Sequence, residues 1–253
     1  MHVINRILAT LGIAAALLVN QAAMAAPVKN IVLVHGFFAD GSGWRGVAEI
    51  LMRDGFSVSV VQQPETSFED DVKAIKRTLD ALNGDSILVG HSYGGALISE
   101  AGVHAKVVGL VYVAAYLPDV GETLRDMSRK MPSATKGIKS TADGYLYFDP
   151  ALFHADFAAD LPEKDASFMA IAQVMPAAKA ANTALTQAAW KTKPSWVVVS
   201  GADRTINPDL QRYMAKRAGS TVAEIAGGSH ATFIVHPAEV AKVIKQAAAG
   251  SSK

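Results

Sequence analysis

Six short apolar runs rich in Val, Ile and Leu punctuate the chain, over 29–35, 57–61, 86–89, 107–113, 195–200 and 221–225. Their near-continuous apolar content, without polar alternation, predicts strands covered on both faces, as in a parallel sheet. Between them, apolar positions recur at helical spacing and predict helices over 43–53, 68–82, 93–103, 208–217 and 237–248. In the second of these, Val72, Ile75, Leu79 and Leu82 share one face, which must be core. Strands alternating with helices predict an α/β architecture, a mostly parallel doubly wound sheet of about six strands with helices on both faces.

The alternation breaks over 117–193, where Pro, Gly and charged residues mix with aromatics and with helical segments over 168–174 and 177–190. The break follows the fourth strand, at a sheet edge where connections cover a ligand crevice, and it predicts a small helical cap. An ordinary set of surface helices is the alternative. The expected layout is a core over 26–116 and 194–253 with the cap inserted at 117–193, and no internal repeat or low-complexity linker interrupts it.

The first residues belong to neither part. Arg6 is the only charge before an apolar stretch from Ile7 to Val19, followed by Ala23-Met24-Ala25. This pattern predicts a secretory signal peptide over 1–25, cleaved after Ala25, and a periplasmic or extracellular protein. The stretch is shorter than the roughly 20 residues a span requires, and no stable membrane association is expected. The chain has no cysteine, which excludes disulfides, a thiol nucleophile and thiolate metal sites. Removing Arg6 from 24 basic residues leaves 23 against 23 acidic ones, so nothing electrostatic draws the mature chain to nucleic acid.

Gly90-His91-Ser92-Tyr93-Gly94-Gly95 stands between the third strand and the helix after it. A G-x-S-x-G sequence at such a junction marks a sharp turn that exposes a serine hydroxyl above the sheet edge. Ser92 is therefore the candidate nucleophile, and it needs a base and an acid to orient that base. Of the remaining histidines, His91 would point away from the elbow, His35 ends the first strand, His104 follows the elbow helix, His154 lies in the cap and His236 precedes Pro237. His230, in Gly227-Gly228-Ser229-His230, follows the last strand at the edge where the elbow emerges. Asp203, in Gly201-Ala202-Asp203-Arg204, follows the fifth strand at the same edge; Asp119, after the fourth, is the competing acid. The chain order Ser, Asp, His is the one expected of this kind of sheet. An oxyanion formed at Ser92 would meet the backbone N–H groups of Tyr93 and of Phe37, the latter in a glycine-rich loop able to fold over the elbow.

Together, Val34-His35-Gly36-Phe37, the elbow, Gly201-Ala202-Asp203-Arg204 and Gly228-Ser229-His230 resemble the α/β-hydrolase superfamily across nearly the whole mature chain. Ala115-Tyr116-Leu117-Pro118-Asp119 is similar to the branch of small carboxylesterases, methylesterases and hydroxynitrile lyases. The resemblance implies a serine nucleophile, a small cap and no cofactor. Ser92 stands where epoxide hydrolases and haloalkane dehalogenases carry Asp, and Arg204-Thr205-Ile206 stands where the lyases of this branch carry a lysine. Both departures favour hydrolysis of a small-molecule carboxylic ester through an acyl-enzyme. A ligand-binding protein on the same scaffold, and lyase or perhydrolase activity, are the rival readings.

The substrate is less legible. Tyr145, Tyr147, Phe148, Phe153, Phe157, Phe168, Met169 and Met175 give the cap apolar material for an uncharged acyl or alcohol group, or simply for its own core. With eight basic and nine acidic residues over 117–192, net charge does not select a substrate sign.

Overall fold

The computed structural model describes residues 28–251; the expected signal peptide lies outside them. Among these residues the strands are β1 (Asn30–Val34), β2 (Ser57–Val61), β3 (Ser86–His91), β4 (Val107–Val113), β5 (Ile138–Ser140), β6 (Leu146–Phe148), β7 (Ser195–Ser200) and β8 (Thr221–Ile225). Six form one sheet in the order β2-β1-β3-β4-β7-β8, and every neighbouring pair is parallel. The chain runs outward from β1 to β2 and returns to β3 on the other side of β1. That reversal opens a crevice at the carboxyl ends of β1 and β3.

The helices are α1 (Arg45–Arg53), α2 (Phe68–Ala81), α3 (Gly94–Ala101), α4 (Leu124–Lys130), α5 (Pro150–Phe157), α6 (Glu163–Ala172), α7 (Ala178–Ala181), α8 (Pro208–Ala218), α9 (Thr232–Val235) and α10 (Pro237–Gly250). Alternate residues of the buried strands feed two cores. On one face Val32, Leu88, Leu110 and Val197 pack with Ile75 and Leu79 of α2, Leu97 of α3 and Met214 of α8. On the other, Ile31, Ile87, Val111 and Val198 pack with Val47 and Leu51 of α1 and Val240 and Ile244 of α10. Local chemistry fixes the helix ends. Ser67 caps α2 by accepting from the Asp70 amide, and three acids occupy its first turn, where the helix dipole favours them. Helix α8 starts on Asn207-Pro208 and stops at Gly219, whose φ of +64° is the left-handed conformation that ends a helix.

The segment 117–193 departs from expectation in three ways. It contains an antiparallel hairpin, β5 with β6, that hydrophobic patterning did not predict. The helix expected over 177–190 shrinks to α7 and a 3-10 turn at Ala189–Lys191. Alanine-rich as it is, this stretch is held open by tertiary bonds. Glu100 of α3 accepts from the amides of Thr186 and Gln187, and the Leu185 amide donates to the Glu122 carbonyl, so these backbone groups serve α3 and the start of the segment instead of a helix. The other expected helix, over 168–174, begins earlier and ends earlier, as α6.

Candidate active site

Ser92 sits between β3 and α3 with φ of +54°, the left-handed region that a non-glycine residue occupies only at a cost. The surrounding glycines make that turn fit. A Cβ on Gly36 would stand 2.5 Å from the Ser92 Cβ, and one on Gly94 would stand 2.7 Å from the His35 carbonyl oxygen. Only bare backbone lets the loop after β1 lie against the elbow.

The structure brings Ser92, His230 and Asp203 together. His230 Nε2 is 2.9 Å from Ser92 Oγ, and His230 Nδ1 is 2.8 Å from Asp203 Oδ2. A carboxylate can only accept, so in the neutral ring Nδ1 carries the proton and Nε2 accepts from the serine hydroxyl. All three residues are buried. Asp203 takes four hydrogen bonds: the amides of Thr205 and Ile206 donate to Oδ1, and Gln211 Nε2 at 2.8 Å joins His230 on Oδ2. Asp119, the competing acid, pairs instead with Lys191 at 2.6 Å, and that ion pair holds its carboxyl below the ordinary range despite partial burial that pushes the other way. Arg204 turns away from Asp203 and pairs with Asp156 of α5.

The amides of Phe37 and Tyr93 donate to no other group among the described residues, and both residues line the cavity over Ser92. Their rings stack at 3.9 Å, which ties the loop after β1 to the elbow. The other histidines lie where the sequence put them, outside this run. His104 bonds to Asp80, His154 to the Leu161 carbonyl, and His236 lies near Asp160 and Glu239 at the start of α10.

Three contributors escaped the sequence analysis. His91 lies beneath His230: its Nε2–H donates to the His230 carbonyl at 2.9 Å, and its burial, followed by the nearby His230, holds its pKa well below the ordinary value. Gln211 is the second. The third is a buried acid pair behind the elbow, in which Asp71 accepts from the Tyr93 hydroxyl and from the Glu65 amide, both at 2.7 Å. Burial pushes the Asp71 carboxyl up to about 6 and, together with the neighbouring Asp71, the Glu65 carboxyl up to about 10. Glu65 also has φ of +56°, and its carbonyl accepts from the Ala177 amide in the inserted segment. A sequence signal for Asp71 and Gln211 existed: each is polar on the buried face of its helix.

The cavity over Ser92 has a volume of about 350 Å³. Phe37, Phe38 and Tyr93 form its floor with Ser92; Tyr116, Leu124, Arg125 and Ser128 form one wall; the hairpin and α7 supply Ile138, Ser140, Leu146, Ala178, Ala181 and Asn182; Thr205 and Ile206 complete it. None of the eight aromatics and methionines offered as material either for a substrate or for the segment's own core lines it. Phe148, Phe153 and Phe157 are fully buried and pack on one another, while Phe168 and Met175 are exposed. Phe157 instead packs on His230, its ring edge-on to the imidazole at 4.8 Å and its carbonyl accepting from the Ala231 amide.

A model of the alpha/beta hydrolase family matches residues 31–243. The chain is 26% identical over 246 residues to the alpha/beta hydrolase nvfD of Aspergillus novofumigatus (strain IBT 16806), covering 86% of this chain and 96% of that protein. It is 33% identical over 111 residues to a carbendazim hydrolyzing esterase of Nocardioides sp. (strain SG-4G), covering 38% of this chain and 46% of that protein. Among solved structures, a pyrethroid hydrolase shares the fold with a TM-score of 0.77 at 23% identity, covering 89% of this chain and 100% of that one. An all-parallel sheet of this order, a serine elbow after its third strand and a match across most of the chain make this protein a member of the alpha/beta hydrolase family.

Proposed function

We propose that the protein is an exported serine esterase in which Ser92 is the nucleophile, His230 the base and Asp203 the acid that orients it. One observation carries this reading: the unbroken run of hydrogen bonds from Ser92 Oγ, in the lining of the cavity, through His230 to Asp203. Ser92 Oγ attacks the ester carbonyl carbon as its proton passes to His230 Nε2. Asp203 stabilises the charged imidazole, and the Phe37 and Tyr93 amides receive the oxyanion. The bond to the alcohol oxygen breaks, and His230 returns the proton to that oxygen. Water then attacks the acyl-enzyme with His230 as base, releasing the acid and restoring Ser92. The names of the relatives, a carbendazim hydrolyzing esterase and a pyrethroid hydrolase among them, support hydrolysis of small-molecule esters.

The test is labelling of the purified protein with a fluorophosphonate, read by intact mass. The expected result is one adduct on the native protein and none on Ser92→Ala or His230→Ala. Near-normal ester turnover by folded Ser92→Ala overturns the assignment. Export rests on the apolar leader, and amino-terminal sequencing of protein recovered outside the cytoplasm is expected to begin at Ala26. An intact Met1 on that protein contradicts it.

A further inference from the structure

The cavity over Ser92 is walled by apolar side chains and neutral polar groups with one exception. Arg125, near the start of α4, is the single charged side chain that lines it, and no carboxylate does. The neighbouring charges on this helix are spoken for: Arg129 lies 3.9 Å from Asp126, and Lys130 lies 3.3 Å from Glu122. Arg125 makes no ion pair and no hydrogen bond among the described residues, so the one charged residue that lines the cavity has no internal partner. Ser128, one turn further along α4, lines the same cavity and is hydrogen-bonded to the Tyr116 hydroxyl at 2.7 Å.

The geometry points to Arg125 as the receptor for a carboxylate on the substrate, so that the substrates are anionic half-esters, with a free carboxylate at the end remote from the scissile bond. This rests on the esterase reading of Ser92. A guanidinium presents two parallel N–H groups that match the two oxygens of a carboxylate. One guanidinium with no second cation beside it balances one negative charge, which suits a carboxylate and leaves a phosphate dianion half compensated. The apolar residues that share this cavity with Arg125 and Ser92, Leu124 and Ile206 among them, suit the methylene segment joining the two ends. Arg125 is exposed to solvent, so the gain is modest, about tenfold in specificity.

The experiment measures kcat/KM by proton release for monomethyl adipate against methyl hexanoate, its neutral match in length, with shorter and longer homologues of each. The native protein is expected to prefer the half-ester in at least one matched pair. In Arg125→Gln the anionic-to-neutral ratio is expected to fall about tenfold, through KM of the anionic member, with Arg125→Lys in between. A ratio unchanged by Arg125→Gln, or a preference for the neutral ester at every length, overturns the proposal. A second readout does not depend on turnover. Free adipate is expected to raise the melting temperature of Ser92→Ala and to do so less when Arg125→Gln is added. Equal shifts overturn the receptor role of Arg125. If the native protein cleaves no ester while adipate distinguishes these variants, it is the esterase reading that fails.

Discussion

The Tyr93 hydroxyl donates to Asp71 Oδ2 at 2.7 Å, so the residue that follows Ser92 is anchored at its far end by a carboxylate on α2. Asp71 Oδ1 meanwhile accepts from the Glu65 amide, and the Glu65 carbonyl accepts from Ala177 in the inserted segment. A single buried carboxylate therefore links the elbow, α2 and the wall of the cavity. Replacing it shows which of its properties matters. Asp71→Ala strands two buried donors, and about 2–4 kcal/mol of stability is expected to be lost. Asp71→Asn is expected to cost about 1 kcal/mol, because its oxygen still accepts from Glu65 while the Tyr93 hydroxyl turns to accept from the new amide. Urea unfolding of both variants checks the order, and equal losses contradict it.

Glu65 makes folding stability depend on pH. Its carboxyl titrates near 4.5 in the unfolded chain and at about 10 when folded, chiefly because burial penalises the charge; neither carboxyl oxygen has a hydrogen-bond partner among the described residues, and the His35 Nδ1 that lies 3.5 Å from Oε1 belongs to a ring whose own pKa burial lowers. Between those values the folded chain holds a proton that the unfolded chain has released. Stability from this group is therefore complete below 4.5 and declines as pH rises, by up to about 1.4 kcal/mol per pH unit. Glu65→Gln keeps the shape of the neutral acid and has no proton to lose. Its melting temperature relative to the native protein is expected to climb from pH 5 to pH 9, and a difference that stays constant over melts in that range refutes a buried neutral Glu65.

Much of the fold was legible because each strand of the sheet is a short run with Val, Ile or Leu; the inner strands β1, β3, β4 and β7 are buried as expected, whereas the edge strands β2 and β8, paired on one side only, are mostly exposed or half-buried and not covered on both faces. The strands at Ser57–Val61, Val107–Val113, Ser195–Ser200 and Thr221–Ile225 appear with the expected limits. Ser92, Asp203 and His230 were legible for a related reason: each lies just past a strand at one edge of a parallel sheet, so topology alone brings them near. Their supports were hidden because they come from helix faces. Asp71 sits among Phe68, Val72, Ile75 and Leu79, and Gln211 between Leu210 and Met214, where a pattern search sees an apolar stripe and discounts one polar position. The hairpin β5 with β6 failed for want of alternation in such short strands. Its signal was the turn, Asp143-Gly144, with Gly144 at φ of +90°.

Gly36 sets how closely the loop after β1 approaches the elbow. A methyl group there meets Ser92 Cβ at 2.5 Å and the His91 carbonyl oxygen at 2.9 Å, so either the loop or the elbow must move. The loop carries the Phe37 amide, and an oxyanion donor displaced by this route is worth about 3–4 kcal/mol of transition-state stabilisation. Gly36→Ala is expected to lower kcat by about a hundredfold or more with a smaller change in KM. Steady-state kinetics on an activated ester decide it, and retention of native kcat places the oxyanion donor elsewhere.

The four bonds on Asp203 divide its task, and the division can be measured. Thr205 and Ile206 amides fix Oδ1, while His230 and Gln211 share Oδ2. Asp203→Asn presents either an N–H to His230 Nδ1 or a nitrogen to the two backbone donors, and both outcomes spoil the tautomer that leaves Nε2 free to accept from Ser92. A fall in kcat of about 10⁴ is expected, the size seen when an orienting carboxylate is made an amide. Gln211→Ala leaves the carboxylate charge and its bond to His230 in place but removes one donor and strands the Ser200 amide, which donates to Gln211 Oε1. Its expected effect is about tenfold in kcat, since a supporting residue acts only through the group it holds. Single-turnover acylation of the two variants, each checked for folding by its melting curve, gives the ratio; a Gln211→Ala loss as large as that of Asp203→Asn would mean that Gln211, and not the carboxylate alone, sets the orientation of His230.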